Sequence, residues 1–396
     1  MNQYDRELMC VLVLTKRQYT NKDLLDERFG RLRELPLGLG RRGHDVRGLC
    51  LSYEAREEGW IRDEAVWWKS LNATPMKIPG LVRFIREAAS LAPSCDVIWA
   101  GSDSFYGVIG YLIGRRIGVP MVFDLYDNFE SFLAARLPVM KQLYRYVVRH
   151  CAALTCVSRP LAALIETRGR VRAVHVLENA VRNDIFKPLE KDRCRAELGL
   201  PATARIVGTA GALDDNRGIK VLFEAFRRLG STHPDLHLAV AGRRKRSLAI
   251  PVDPRVHDFG DLAHEKVPVF LNALDVAVVC NLDNDFGRYC FPQKAHEIMA
   301  CDVPVIAADT GVMSELLHPH PEWLFKPGCA TSLARVLEDR LTDRSTAYAP
   351  APTWPDLAET LERVMLEAIN AKSNRKTQRK AEQQPIGGAG EENHAG

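Results

Sequence analysis

Residues 204–226 read ARIVGTAGALDDNRGIKVLFEAF. A β-branched apolar run closes at Gly208, a glycine-bearing loop follows, and a helix begins near Gly218. Val221, Leu222, Ala225, Phe226 and Leu229 then recur on one side of that helix. Strand, tight turn and helix make half of a βαβ unit, the building block of a parallel sheet. Gly211 lets the backbone approach a ligand, free amides at the helix start favour an anion, and Arg217 stands beside that start. An ordinary βα turn with a surface arginine would read the same way, and spacing alone does not separate the two.

The pattern extends in both directions. Strands are expected near 9–14, 45–50, 96–100, 121–125, 153–157 and 173–177 in the first half. In the second half they fall near 204–209, 236–241, 255–259, 275–280, 303–307 and 322–325, with amphipathic stretches between most of them. A charged segment with Pro188, Gly199 and Pro201 separates the halves. The predicted organisation is α/β: a first doubly wound domain over 1–182, a linker over 183–203 and a second doubly wound domain over 204–350. A helix over 351–371 is expected to pack back on the first domain, and 372–396 is expected to be a disordered polar tail. Two such sheets facing each other put a ligand cleft at the carboxyl ends of their strands.

Three further stretches point at that cleft. LAVAGRRKRS ends a strand at Gly242 and continues into Arg243 and a run of cations, most of which suit a solvated loop. VHDFGDLAHEK closes another strand at Phe259 and Gly260. YCFPQKAHEIMACDVPVIAAD, residues 289–309, places Pro292 at a helix start with Lys294 in its first turn and Glu297 one turn on. A cation is unfavourable in a first helical turn unless an anion is near. The alternative is a surface Lys–Glu pair worth about 0.3–0.5 kcal/mol.

Composition narrows the classes. The 396 residues are 46% hydrophobic, and 54 basic against 50 acidic side chains leave +4, too mild for a nucleic-acid partner. Ten cysteines without a CxxC pair read as free thiols in a reducing cytoplasm. No stretch reaches the roughly 18 apolar residues of a membrane span, and the amino terminus lacks a hydrophobic leader core. Trp60, Trp67, Trp68, Lys69, Lys77, Arg83 and Arg86, with Lys141, Arg145 and Arg149, suit peripheral contact with an anionic membrane surface, and equally suit helices packed on a sheet. Asp283-Asn284-Asp285 matches a metal-binding D-x-D that arises about once by chance in such a chain, so no metal is assigned. A nicotinamide dehydrogenase is disfavoured because no G-x-G-x-x-G follows the first strand.

Taken together, GALDDNRGIKVLFEAF, LAVAGRR, DFGDLAHEKVPVFLNALDVAVVC and FPQKAHEIMACDVPVIAADTGVMSELL resemble the donor-binding half of retaining GT-B glycosyltransferases of the family 4 type. The first half agrees more loosely, through LGLGRRGHDVRGLCL, the stretch from Asp96 to Phe132 and AALTCVSRPLAALI. The resemblance covers roughly 1–370. It implies that Arg217 and Lys294, beside Gly211, hold a donor diphosphate. Glu297 would meet the ribose and serve the reaction, while Gly242, Arg243, Phe259 and Gly260 would border the nucleobase. Asp127 would act on the acceptor side as a polar contact or proton acceptor.

Several positions depart from the pattern. Ala212 stands where an arginine is usual, Asp302 where glycine is usual, and Tyr126 where histidine is common. Tyr289 replaces a sugar-facing glutamate and so would shape the sugar pocket. The implied activity is transfer of a sugar from a nucleotide-diphosphate sugar to a glycan or glycolipid hydroxyl, without metal or cofactor. The departures also motivate a second reading, a catalytically degenerate GT-B protein acting as a nucleotide-binding partner of another transferase.

Overall fold

The computed structural model describes residues 7–19, 22–75, 77–131 and 137–382. Every strand expected from the sequence is present. β1 (Cys10–Lys16) is followed by a small hairpin of β2 (Gln18–Tyr19) and β3 (Lys22–Asp23). The first sheet continues with β4 (Asp45–Ser52), β5 (Gly59–Asp63), β6 (Val66–Asn72), β7 (Val97–Ala100), β8 (Met121–Leu125), β9 (Ala153–Cys156) and β10 (Val174–Val176). Its order is β10-β9-β8-β7-β1-β4-β6-β5, parallel except for β5, which runs antiparallel to β6. The second sheet holds β11 (Arg205–Ala210), β12 (Leu236–Ala241), β13 (Val256–Asp258), β14 (Val276–Val279), β15 (Val305–Ala308) and β16 (Leu324–Phe325), all parallel, in the order β13-β12-β11-β14-β15-β16. Continuous runs such as Val11–Leu14 and Val276–Val279 are wholly buried, as strands covered by helices on both faces must be.

Four strands were not foreseen, the hairpin pair β2 and β3 and the edge pair β5 and β6. The tryptophan-rich stretch read above as helix is the edge pair β5 and β6. Its side chains alternate, with Val66, Trp68 and Ser70 buried and Trp67 turned outward. Gly48 on β4 makes the room, since a Cβ there would lie 2.1 Å from the Trp68 ring. The outer cations cover the outer rings: Lys69 lies over Trp60 and pairs with Glu87, and Arg62 lies over Trp67. The cluster is therefore not one exposed aromatic face, because Trp68 belongs to the core.

The segment between the domains is tied to the second one. Phe186, Cys194 and Leu200 join the second core, and Arg195 pairs with Asp275. The last helix, Trp354–Glu382, packs on helix Arg31–Arg41 through Leu357, Leu361, Val364, Met365 and Ala368. Glu362 accepts from Arg42 and His44 at that contact. The helix runs to Glu382, beyond the polar boundary at 372. The remainder of the expected tail lies outside the described residues.

Candidate functional site

The strands β11, β12 and β14 end at one edge of the second sheet, and the first domain closes over that edge. A cavity of about 310 Å³ lies between them, lined by Asp127, Gly211, Arg217, Gly242, Arg243, Lys294 and Glu297 among others. Its floor is backbone. Gly211 at the end of β11 has φ +106 and Gly242 at the end of β12 has φ +134, both in the left-handed region. A Cβ on Gly242 would lie 1.8 Å from the Gly211 carbonyl oxygen, so the two turns nest only as glycines.

Two cations stand over this floor. Arg217 ends the 3-10 turn Asp215–Arg217 and lies 4.6 Å from the Phe286 ring centre. Lys294 sits in the first turn of helix Gln293–Ala300, which Pro292 precedes, with Nζ 3.5 Å from Thr209 Oγ1. Among the described residues neither has a carboxylate within ion-pair distance. Burial, helped by the Arg217 charge, lowers the Lys294 ammonium to about 8. Burial raises the Glu297 carboxyl to about 7, against the opposing pull of Lys294 and the Gln293 amide, which donates to Oε1 at 3.2 Å. From the facing domain, Asp127 is raised to about 6 by burial, while the Asn128 N–H, Arg217 and Lys16 pull it down. The cavity thus holds one proton more loosely than a free lysine and two more tightly than free carboxylates.

Not every expected residue reaches the cavity. Phe259 turns inward, its ring 5.6 Å from Phe270 in the second core, and Gly260 does not line the pocket. The neighbouring Arg243–Asp261 pair does. Tyr289 does not line the pocket either. It ends helix Asp285–Tyr289, packs on the first-domain core, and its carbonyl accepts from Ser158 Oγ at 2.8 Å. It is an interdomain contact, because the short helix directs it at the facing domain. Asp302 has φ +54, the left-handed backbone that glycine usually supplies at its position. Tyr126 donates its hydroxyl to the Ser102 carbonyl and stacks edge-on against Tyr19. The D-x-D triplet is used otherwise: Asn284 caps helix Asp285–Tyr289 and Asp283 pairs with Arg288.

The sequence reading missed several residues that the fold brings in. Tyr19, Lys22, Phe29, Asn179, Asn281 and Phe286 line the cavity. His296 donates from Nδ1 to the Asn179 carbonyl, 3.0 Å away, and burial lowers its imidazole to about 4. Asn179 is itself near the Arg31 guanidinium, which forms a fully buried bidentate pair with Asp124 and donates to the Glu178 carbonyl. A larger cavity of about 620 Å³ on the back of the first domain contains none of these groups.

Comparison with known proteins agrees with this fold. Residues 31–180 match the model of the glycosyl transferase 4-like domain and residues 190–352 that of glycosyl transferases group 1. The 2-deoxystreptamine N-acetyl-D-glucosaminyltransferase of Streptomyces fradiae is 27% identical over 65% of this chain and 66% of its own length. The lipopolysaccharide core biosynthesis mannosyltransferase of Rhizobium meliloti is 27% identical over 43% of this chain and 51% of its own. The chain thus spans about two thirds of one curated relative and about half of the other. Among solved structures, sucrose-phosphate synthase from Thermosynechococcus elongatus superposes with a TM-score of 0.69 at 19% identity, covering 94% of this chain and 98% of that one. Anabaena HepE in complex with UDP gives 0.64 at 19% identity, over 94% and 100%. The chain is a GT-B protein of the glycosyltransferase families, a glycosyl transferase 4-like domain followed by a glycosyl transferases group 1 domain.

Proposed function

We propose that this protein moves a sugar from a nucleotide-diphosphate sugar to an acceptor hydroxyl with retention, in assembly of a polysaccharide or glycolipid. The observation that carries the reading is the pair of cations, Arg217 and Lys294, held without carboxylate partners over the glycine floor at Gly211 and Gly242. A diphosphate complements those two cations in charge. It restores the Lys294 proton that burial loosens and, with the cations, disperses the charge that grows on the leaving nucleoside diphosphate. These two charges serve in place of a metal ion.

Retention follows if the acceptor enters on the leaving-group face and the transition state is oxocarbenium-like, with no protein nucleophile. Asp127, across the cleft, takes the acceptor proton once ionised above about pH 6. Glu297 accepts from ribose hydroxyls. The UDP bound to Anabaena HepE and the lipopolysaccharide role named for the Rhizobium relative support the donor class and the pathway class. The non-catalytic reading is not favoured, because Tyr126 and Tyr289 are occupied in packing and the diphosphate cations remain.

Peripheral contact with an anionic membrane, at its cytoplasmic face, would use helix Pro138–His150, where exposed Val139, Leu143 and Tyr146 share one face and Arg115 donates to the Tyr146 hydroxyl at 2.9 Å. Flotation with anionic vesicles should carry the full chain upward; recovery of all protein at the bottom removes the contact. For the activity, a thermal-shift panel of UDP-, GDP- and ADP-sugars should raise the melting temperature with at least one base. No shift with any of them overturns the donor site, and transfer that is unchanged in Lys294→Ala overturns its role.

A further inference from the structure

Outside the cleft, one pair of reactive groups meets without a structural partner to explain it. Cys10 begins β1 and Cys95 follows the 3-10 turn Ala92–Ser94, and their sulfurs lie 2.9 Å apart. The backbones on either side are already joined. The Cys10 N–H donates to Asp96 Oδ2 at 2.7 Å, and the Asp96 N–H donates to the Cys10 carbonyl at 2.9 Å. The two side chains are therefore held face to face by bonds that do not involve sulfur.

The surroundings also differ from those of the other cysteines. Burial pushes the Cys50, Cys280 and Cys290 thiols up to about 12, as expected for inert core thiols. Cys95 is held below its ordinary range by the hydrogen bond from Cys10, by Ser94 and by the Arg47 guanidinium on neighbouring β4. Arg47 is fixed there, donating to Ser94 Oγ at 3.0 Å and to Asp45 at 2.6 Å. Cys10 is half-buried, so solvent reaches the pair from its side. Free thiols were expected throughout, and all ten cysteines are free here.

We propose that Cys10 and Cys95 form a dithiol modification site, which a small-molecule disulfide converts to an intramolecular Cys10–Cys95 disulfide. The Cys95 thiolate attacks one sulfur of the small disulfide, whose S–S bond breaks, and a thiolate leaves and takes up a proton. The Cys10 thiol then loses its proton and attacks Cys95 Sγ, expelling the second thiol. The protein pair is oxidised by two electrons, and one small disulfide is reduced to two thiols. The bond closes a loop between residues 85 apart in sequence, stapling β1 to the end of helix Lys77–Leu91. Cys10 lies at the amino end of β1 and Lys16 at its cleft end, about 20 Å away at ~3.3 Å per residue, so the staple leaves the donor site untouched.

The test uses the full chain, reduced and then equilibrated with oxidised glutathione, alkylated and mapped by mass spectrometry without reduction. A Cys10–Cys95 cross-linked peptide is expected, with alkylatable thiols under denaturant falling from ten to eight. The melting temperature of the oxidised form should rise by roughly 5–10 °C. In Cys10→Ser the cross-link should vanish and a glutathione adduct should collect on Cys95. Full alkylation of Cys10 and Cys95 in the wild type, a stable glutathione adduct there, or a cross-link between other cysteines would overturn the proposal.

Discussion

The Lys294 ammonium lies against the backbone of Gly211, so closely that a Cβ at Gly211 would stand 3.3 Å from Nζ. The lysine comes from a helix start and the glycine from the turn after β11, and nothing but backbone separates them. A cation in that position has lost much of its water and, among the described residues, has the Thr209 hydroxyl, 3.5 Å away, as its hydrogen-bond partner. It is destabilised until an anion arrives.

Lys294→Ala should therefore separate binding from stability. Loss of a charge-assisted contact of about 2–3 kcal/mol predicts roughly 10²-fold weaker binding of the nucleoside diphosphate. Without ligand, the variant should melt no lower than the wild type, because the residue removed is an uncompensated buried charge. Isothermal titration with UDP, GDP and ADP, beside melting curves of the ligand-free proteins, checks both halves. Equal affinity in the variant would remove Lys294 from the diphosphate site.

Glu297 gives the opposite dependence on pH from a salt-bridged acid. Its folded value of about 7 lies above the ordinary 4.5, so the folded state holds the proton more tightly than the unfolded chain. Its favourable contribution is complete below about pH 4.5 and is lost as pH rises through 7. Glu297→Gln should then melt with the wild type near pH 5 and above it at pH 8, by up to about 3 kcal/mol. The same variant should bind donor less well, since it keeps one acceptor oxygen where the carboxylate has two. A stability difference independent of pH would show that the carboxyl is not desolvated.

The two cations that line the cavity were legible in sequence because the features that carry them are local: a glycine at a strand end, and a lysine and glutamate one turn apart. The reading failed where a side chain's partner is remote. Tyr289 is close to Lys294 along the chain, but its side chain packs on the first core, and its carbonyl accepts from Ser158. His296 meets Asn179, and Cys10 meets Cys95, over separations of 117 and 85 residues that no window spans. The β5–β6 edge was misread for another reason. Its outward positions carry Trp60 and Trp67 where an alternating strand would usually show polar residues, which hides the period of two.

Tyr289 offers a direct test of which role the residue has. As an interdomain contact, its ring matters and its hydroxyl does not. Tyr289→Phe should leave donor affinity and turnover within about twofold, whereas Tyr289→Ala should lower stability by about 3 kcal/mol through lost packing. Kinetics against several sugars on one nucleotide decide the matter. A changed preference among sugars in Tyr289→Phe would return the residue to the sugar pocket.

Asp127 and Lys294 face the same cavity from opposite domains, and the proposed transfer requires them to hold opposite protonation states. Asp127 has to be ionised to accept a proton, which occurs above about 6, and Lys294 has to be charged, which in the empty site holds below about 8. A plot of kcat/KM against pH should be bell-shaped with limbs near these values. Glu297 also loses its proton within that window, so the acidic limb is assigned by variants rather than by position. Asp127→Asn should flatten that limb and slow turnover, and Glu297→Gln should leave it standing. The basic limb should appear in donor binding as well, because binding above pH 8 must take up a proton onto Lys294. If nucleotide affinity is constant from pH 7 to 9.5 while the protein stays folded, the Lys294 charge is not what holds the diphosphate.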